Sequence, residues 1–210
     1  MPKSALVLGG VVKRGTLIVF EGLDGCGKST QLRRAASRLI ERGHDIVVTR
    51  EPTDGPWGRR IREMARSGKP VAPEIELEWF FEDRREHMRE VIEPALVAGR
   101  MVLSDRSYIS TVAYQGARGL DPAKILADSQ AEFARPDVIL LFEISAKEGL
   151  ARVHERGGET EPVFENLDFL ERVAAIFESL ELDGLRRIDA SRGEDEIAVD
   201  VSRILDLILD

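Results

Sequence analysis

The sequence predicts an α/β fold: a five-stranded parallel sheet flanked by helices. Three observations lead there. Short apolar or β-branched runs alternate with longer segments of helical period, the pattern of strands joined by crossover helices. Hydrophobic residues make up 43% of the 210, enough to organise one core, and no apolar run approaches the roughly 20 residues that span a bilayer. The first strand candidate also stops abruptly in a glycine-studded loop that opens a helix.

Taken in order, residues 1–14 carry a short apolar run without a small-residue cleavage site, and are expected to be an extension ahead of a domain at 15–210. The strand candidates are residues 16–21 (TLIVFE), 45–49 (DIVVT), 101–104 (MVLS), 138–144 (VILLFEI) and 185–189 (LRRID). Between the first two, Leu32, Ala35, Ala36, Leu39 and Ile40 recur at three- and four-residue steps, and Gly43 stands where a helix ends. Residues 194–209 begin with Glu194, Asp195 and Glu196 at the positive end of a helix and stripe Ile197, Val201, Ile204, Leu205 and Ile208 along one face. That helix is expected to close the core.

Charge and cysteine usage narrow the partners. A formal net charge of -8 makes any basic site a local island in an acidic field, which argues against backbone-driven nucleic-acid binding and leaves small anions. Cys26 is the only cysteine, so no intrachain disulfide or multi-cysteine metal site can form, as suits a reducing cytoplasm. His44, His87 and His154 show no metal-ligand spacing and receive no catalytic role.

Gly22, Gly27, Lys28 and Ser29 satisfy G-x-x-x-x-G-K-[ST], with a strand before and a helix after. With little side-chain bulk from Gly22 through Leu23, Asp24, Gly25, Cys26 and Gly27 to Thr30, backbone N–H groups can turn around phosphate oxygens while the helix amino end adds positive potential. Lys28 would reach the β/γ-phosphates of ATP and the Ser29 hydroxyl would ligate Mg²⁺. A GTPase switch would need a guanine-reading Asn-Lys-x-Asp element, but the only asparagine, Asn166, precedes Leu167. Ligands of an open parallel sheet bind beyond the carboxyl ends of its strands, so Lys28, Arg50, Asp105 and Arg106 should meet along one rim. There Arg50 and Arg106 would offset the repulsion between two phosphorylated ligands, and Asp105 would orient the metal or its waters. Surface ion pairs are the plain alternative for these three.

In their order and spacing, EGLDGCGKST, TREP, FFEDRREH, DRSYISTVAYQG and FLERV resemble the thymidylate kinase family, from about Gly15 to the carboxyl end. The resemblance implies a P-loop kinase fold with a mobile lid, transfer of the γ-phosphate of ATP to dTMP without a covalent intermediate, and a homodimer. By the family pattern, Arg50 and Arg106 hold the dTMP phosphate, Arg106 also lies near the transferred group, and Asp24 approaches the sugar or the metal. Phe80 stacks on thymine while Arg84, four residues on and so on the same helical face, hydrogen-bonds its edge; a core position beside Trp79 and Phe81 is the other reading of Phe80. Ser110, Thr111, Tyr114 and Gln115 match the nucleoside pocket, with the tyrosine near the sugar. The lid would be residues 151–166 (ARVHERGGETEPVFEN), with Gly157 and Gly158 as hinge. Many relatives with glycine at the place of Gly25 carry arginine within the lid; GETEPVFE has none, so Arg152 and Arg156, or a rim arginine, would supply that charge, unless both belong to the helix surface. The alternatives are another nucleotide or nucleoside kinase of the same fold, or a non-catalytic ATP-binding module.

Overall fold

The computed structural model describes residues 14–157 and 161–209. Five parallel strands form one sheet in the order β2-β3-β1-β4-β5: β1 (Leu17–Gly22), β2 (Ile46–Arg50), β3 (Met101–Asp105), β4 (Val138–Glu143) and β5 (Leu185–Asp189). The three inner strands read as continuous apolar runs because both faces are covered. On one face Val19, Val102 and Leu141 pack beneath α2 (Pro56–Ser67), α3 (Pro73–His87), α5 (Tyr108–Ala117) and α8 (Leu167–Ser179). On the other, Phe20, Leu103 and Leu140 meet α1 (Lys28–Glu41) and α9 (Glu194–Leu209). Each such side chain removed from water contributes roughly 1.5–3 kcal/mol. The edge strands are more polar: Arg186 and Arg187 of β5 are exposed, a charge pattern that discourages further strand pairing.

The final helix has the expected bounds, and Ile197, Val201 and Leu205 are buried. In α1, Leu32, Ala35, Ala36 and Leu39 are buried as expected, but Ile40 is 58% exposed. One step beyond Leu39 rotates its side chain by about 100°, off the sheet-facing stripe. Gly43 ends the helix at φ 84°, its N–H donating to the Ile40 carbonyl at 2.9 Å. After α3 the chain winds one π turn, Met88–Ile92, before α4 (Glu93–Val97). The wider turn admits Pro94, which has no N–H to give and would clash in a regular helix. The remaining helices are α6 (Pro122–Glu132) and α7 (Ala146–Arg156).

This topology creates the crevice. Neighbouring strands β1 and β3 lead into α1 and α5, which leave on opposite faces of the sheet. The loops after those strands therefore part at their carboxyl ends, where such sheets bind ligands. Arg106 stands at that parting with φ 74°, the only positive φ outside glycine among the described residues. Its N–H donates to the Phe20 carbonyl at 2.9 Å and its carbonyl accepts from Ser104 Oγ at 2.8 Å, holding a backbone conformation that costs roughly 1–2 kcal/mol.

Candidate active site

The loop between β1 and α1 requires glycine at two contacts. At Gly22 (φ 138°) a Cβ would lie 2.4 Å from the Phe142 carbonyl oxygen, and at Gly25 (φ 81°) 2.1 Å from that of Gly149. The loop thus lies flush against β4 and α7. Leu23 and Cys26 are buried beneath it, and burial pushes the Cys26 thiol up, away from the reactive thiolate. Gly27 caps α1 without a side-chain bond, and no acidic residue sits in the first turn, which runs through Lys28, Ser29 and Thr30. The positive end of the helix is left uncompensated, ready for an anion.

Three charges meet above the loop. Asp24 Oδ1 accepts from Lys28 Nζ at 3.0 Å and from Arg106 Nη2 at 2.7 Å. Burial alone would raise the Asp24 carboxyl, but Arg106 and then Lys28 hold it well below the usual carboxylate range. Beside them, Ser29 Oγ donates to Asp105 Oδ2, while Asp105 Oδ1 is buried with no partner. An orphaned carboxylate oxygen next to a hydroxyl suits a hard divalent cation that takes its remaining ligands from water and phosphate. Among the described residues no cluster of three or more His, Cys, Asp or Glu could hold a metal.

Arg106 is braced from below. Its Nη1 donates to Ser110 Oγ at 2.8 Å, and Ser110 Oγ donates to Glu21 Oε2 at 2.5 Å. Ser107, the N-cap of α5, donates to Glu21 Oε1 at 2.7 Å. Burial raises the Glu21 carboxyl from 4.5 to about 7 despite these bonds. The folded chain therefore binds a proton that the unfolded chain has released between about pH 4.5 and 7, and stability falls as pH rises through that window. At about 1.4 kcal/mol per unit the full cost is on the order of 3 kcal/mol. Glu21→Gln removes it. Measured by thermal unfolding, the variant should gain roughly 5 °C on the parent between pH 5 and pH 8; a difference that stays constant across that range contradicts the coupling.

A cavity of about 260 Å³ opens beside this cluster. Of the residues expected at the substrate, Asp24, Arg50, Phe80 and Arg106 line it together with Ser110, Thr111, Tyr114 and Gln115 of α5. Phe80 belongs to neither core cluster, whereas Phe81 is buried in the core and Trp79 packs against it, which separates it from its neighbours as a cavity residue. Tyr114 lies with its ring 5.0 Å below the Arg106 guanidinium, and burial pushes its hydroxyl up to about 12, so it stays protonated. Phe164 and Glu161, from the carboxyl end of the expected lid, also line the cavity, Phe164 edge-on to Tyr114 at 5.8 Å.

Arg50 lines the cavity from its rim, exposed and paired with Asp54 at 2.7 Å. Other expected residues stand apart. Arg84 does not line the cavity: it lies behind the wall, donating to Glu51 Oε2 from Nε (2.9 Å) and Nη2 (2.6 Å) and to Thr111 Oγ1 (2.9 Å), with Nη1 buried and unpartnered. Glu51 also meets His87 Nδ1 at 3.0 Å, so the histidine is part of this buried brace. Arg152 donates to the Ala190 carbonyl at 3.0 Å and Arg156 is exposed; neither lines the cavity. Gly158 lies outside the described residues. The sequence reading missed Glu21, Glu51 and Glu76. Glu21 left one signal, a carboxylate closing an otherwise apolar strand.

A family model described as thymidylate kinase matches residues 20–201. The chain is 43% identical over 188 residues to a thymidylate kinase of Desulfotalea psychrophila, covering 89% of this chain and 92% of that protein. It is 44% identical over 183 residues to one of Xanthomonas euvesicatoria, covering 87% and 80%, and 44% identical over 184 residues to one of Xanthomonas campestris, covering 87% and 79%.

Proposed function

Since this chain belongs to the thymidylate kinase family and transfers the γ-phosphate of ATP to dTMP, we propose that it does so in the crevice between β1 and β3. One observation carries the placement: Arg106 reaches from the β3 loop to Asp24 of the β1 loop, beside Lys28, at the mouth of the cavity that Phe80 and α5 line. The loop N–H groups and Lys28 receive the ATP phosphates, and the cavity receives dTMP. Arg106 stands between the two ligands, where its fork can follow charge onto the transferred group. Arg50, on the rim, exchanges Asp54 for the dTMP phosphate. Phe80 stacks on the base, Gln115 reads its edge with Thr111 held in place by the Arg84 brace behind the wall, and Tyr114 flanks the sugar. The acceptor phosphate is already ionised, so transfer is direct and in line, needing neither a general base nor a covalent intermediate.

Ser29 and Asp105 would hold Mg²⁺, which supplies charge neutralisation to the phosphates when bound. Asp24 keeps Lys28 and Arg106 aimed at the crevice until phosphate replaces it as their partner. Segment 151–166 closes over the ligands and excludes water, with Arg152 and Arg156 carried on its helix. We place the enzyme in the cytoplasm as a homodimer of 15–210 domains; the expected extension, residues 1–14, lies outside the described residues except for Arg14. No described helix is long and apolar enough to cross a membrane.

The test is ADP release with ATP against dTMP, dUMP, UMP, dCMP, AMP and thymidine, with Mg²⁺ and after its removal by EDTA. Turnover should favour dTMP strongly over the ribonucleotides and vanish without the metal. Equal rates on UMP or AMP, or full activity in EDTA, would overturn this reading of the site.

A further inference from the structure

Behind the cavity wall stands a carboxylate that the transfer itself does not use. Glu76, in the first turn of α3, is fully buried, and so is Gln115 of α5. Gln115 Nε2 donates to Glu76 Oε1 at 2.8 Å, while Gln115 Oε1 is buried without a partner on a side chain that lines the cavity. Arg118 lies 3.3 Å from the other Glu76 oxygen and is itself anchored to the Val71 carbonyl at 2.7 Å. Burial holds the Glu76 carboxyl above the usual carboxylate range, an effect that Gln115 and Arg118 offset only in part, and the guanidinium beside it favours the ionised form.

The two ends of a glutamine amide are alike in shape and opposite in chemistry. An ionised carboxylate only accepts, so the amide must turn its NH₂ to Glu76 and leave its carbonyl oxygen for the cavity. We propose that Glu76 is a positioning residue that fixes the amide of Gln115 with its acceptor toward the base, and so selects pyrimidines carrying a ring N–H. Thymine and uracil present N3–H at that edge; cytosine presents a lone pair, which an acceptor repels. A polar group left facing its own kind in a buried site is strongly disfavoured, which is how one well-oriented amide discriminates between bases of equal size. The inference rests on the reading of α5 as the nucleoside wall.

The experiment compares kcat/KM for dTMP and dCMP in the parent, Glu76→Gln, Gln115→Leu and the double variant Glu76→Gln/Gln115→Glu. Glutamine at position 76 both donates and accepts, so the amide at 115 is free to present either end. Glu76→Gln should raise the dCMP to dTMP ratio about tenfold, chiefly through KM, with kcat on dTMP within about twofold of the parent. The double variant exchanges donor and acceptor across the same contact. The carboxylate then at position 115 can only accept, and the parental ratio should return, an outcome that a merely structural Glu76 does not produce. Gln115→Leu separates the two readings. If it erases the preference for dTMP while Glu76→Gln leaves the ratio unchanged, the positioning role is overturned and the pocket stands. If Gln115→Leu also leaves the ratio unchanged, the nucleoside wall has been misplaced. Should Glu76→Gln fail to fold, the double variant decides: a parental ratio supports the proposal and a relaxed one overturns it.

Discussion

Arg106→Ala should lower kcat about a thousandfold while weakening ATP binding only a few-fold. Loss of one fixed cation or oxyanion donor costs on the order of 10²–10³ in rate, and an arginine that meets the transferred phosphoryl group lies at or above that range. Here the guanidinium spans both halves of the crevice: Nη2 on Asp24 of the β1 loop, Nη1 on Ser110 of α5 and the Gly22 carbonyl. Truncation removes that span but leaves the N–H groups of α1 and Lys28, proposed above to receive the ATP phosphates, and the Ser29–Asp105 pair proposed for the metal. Lysine at 106 should not rescue, since an ammonium is a point charge and cannot hold Asp24, Ser110 and a phosphate with one planar fork. Single-turnover transfer with a separate measurement of ATP affinity checks this. Turnover within about threefold of the parent would remove Arg106 from the reaction.

Lys28→Met should lower kcat/KM for ATP by about 10²–10³-fold, or roughly 3–4 kcal/mol of transition-state stabilisation. Methionine keeps the length and the apolar stem, which matters because the Lys28 side chain is only 7% exposed, and it deletes the charge alone. Lys28 stays protonated: burial and Arg106 oppose its charge, but Asp24 more than compensates and raises it above the usual lysine range. In the proposed site the ammonium would therefore meet the β/γ-phosphates as a fixed cation across the working pH range. Replacement leaves Asp24 with Arg106 as its one remaining cation and should hold that arginine more firmly to the loop. The dTMP affinity, measured by calorimetry, should change less than the ATP affinity. An equal loss for both ligands would mean that the substitution disrupts the crevice as a whole.

What the sequence made legible follows from range. β1, β3 and β4 are buried on both faces, so their apolar runs announce themselves locally, and α9 carries its acidic start and apolar stripe within sixteen residues. The loop is equally local, since Gly22 to Ser29 must satisfy contacts made by their own backbone. Pairings between distant residues are different. Glu51 and Arg84 stand 33 positions apart, and nothing in either segment says that the carboxylate would take the guanidinium behind the cavity wall. Glu76 and Gln115, 39 apart, reveal their bond only once α3 packs on α5. The one misjudged core position, Ile40, shows the same limit at short range: helical spacing gives the stripe, but how far the neighbouring layer extends decides whether its flank is covered.

The left-handed turn at Arg106 has a bearing on directed improvement of this enzyme. Judged by backbone preference alone, glycine is the better residue there, so a campaign that scores variants by heat resistance would be drawn to that substitution. It would enrich sturdy, inert protein, and position 106 must be withheld from any library screened without a turnover assay.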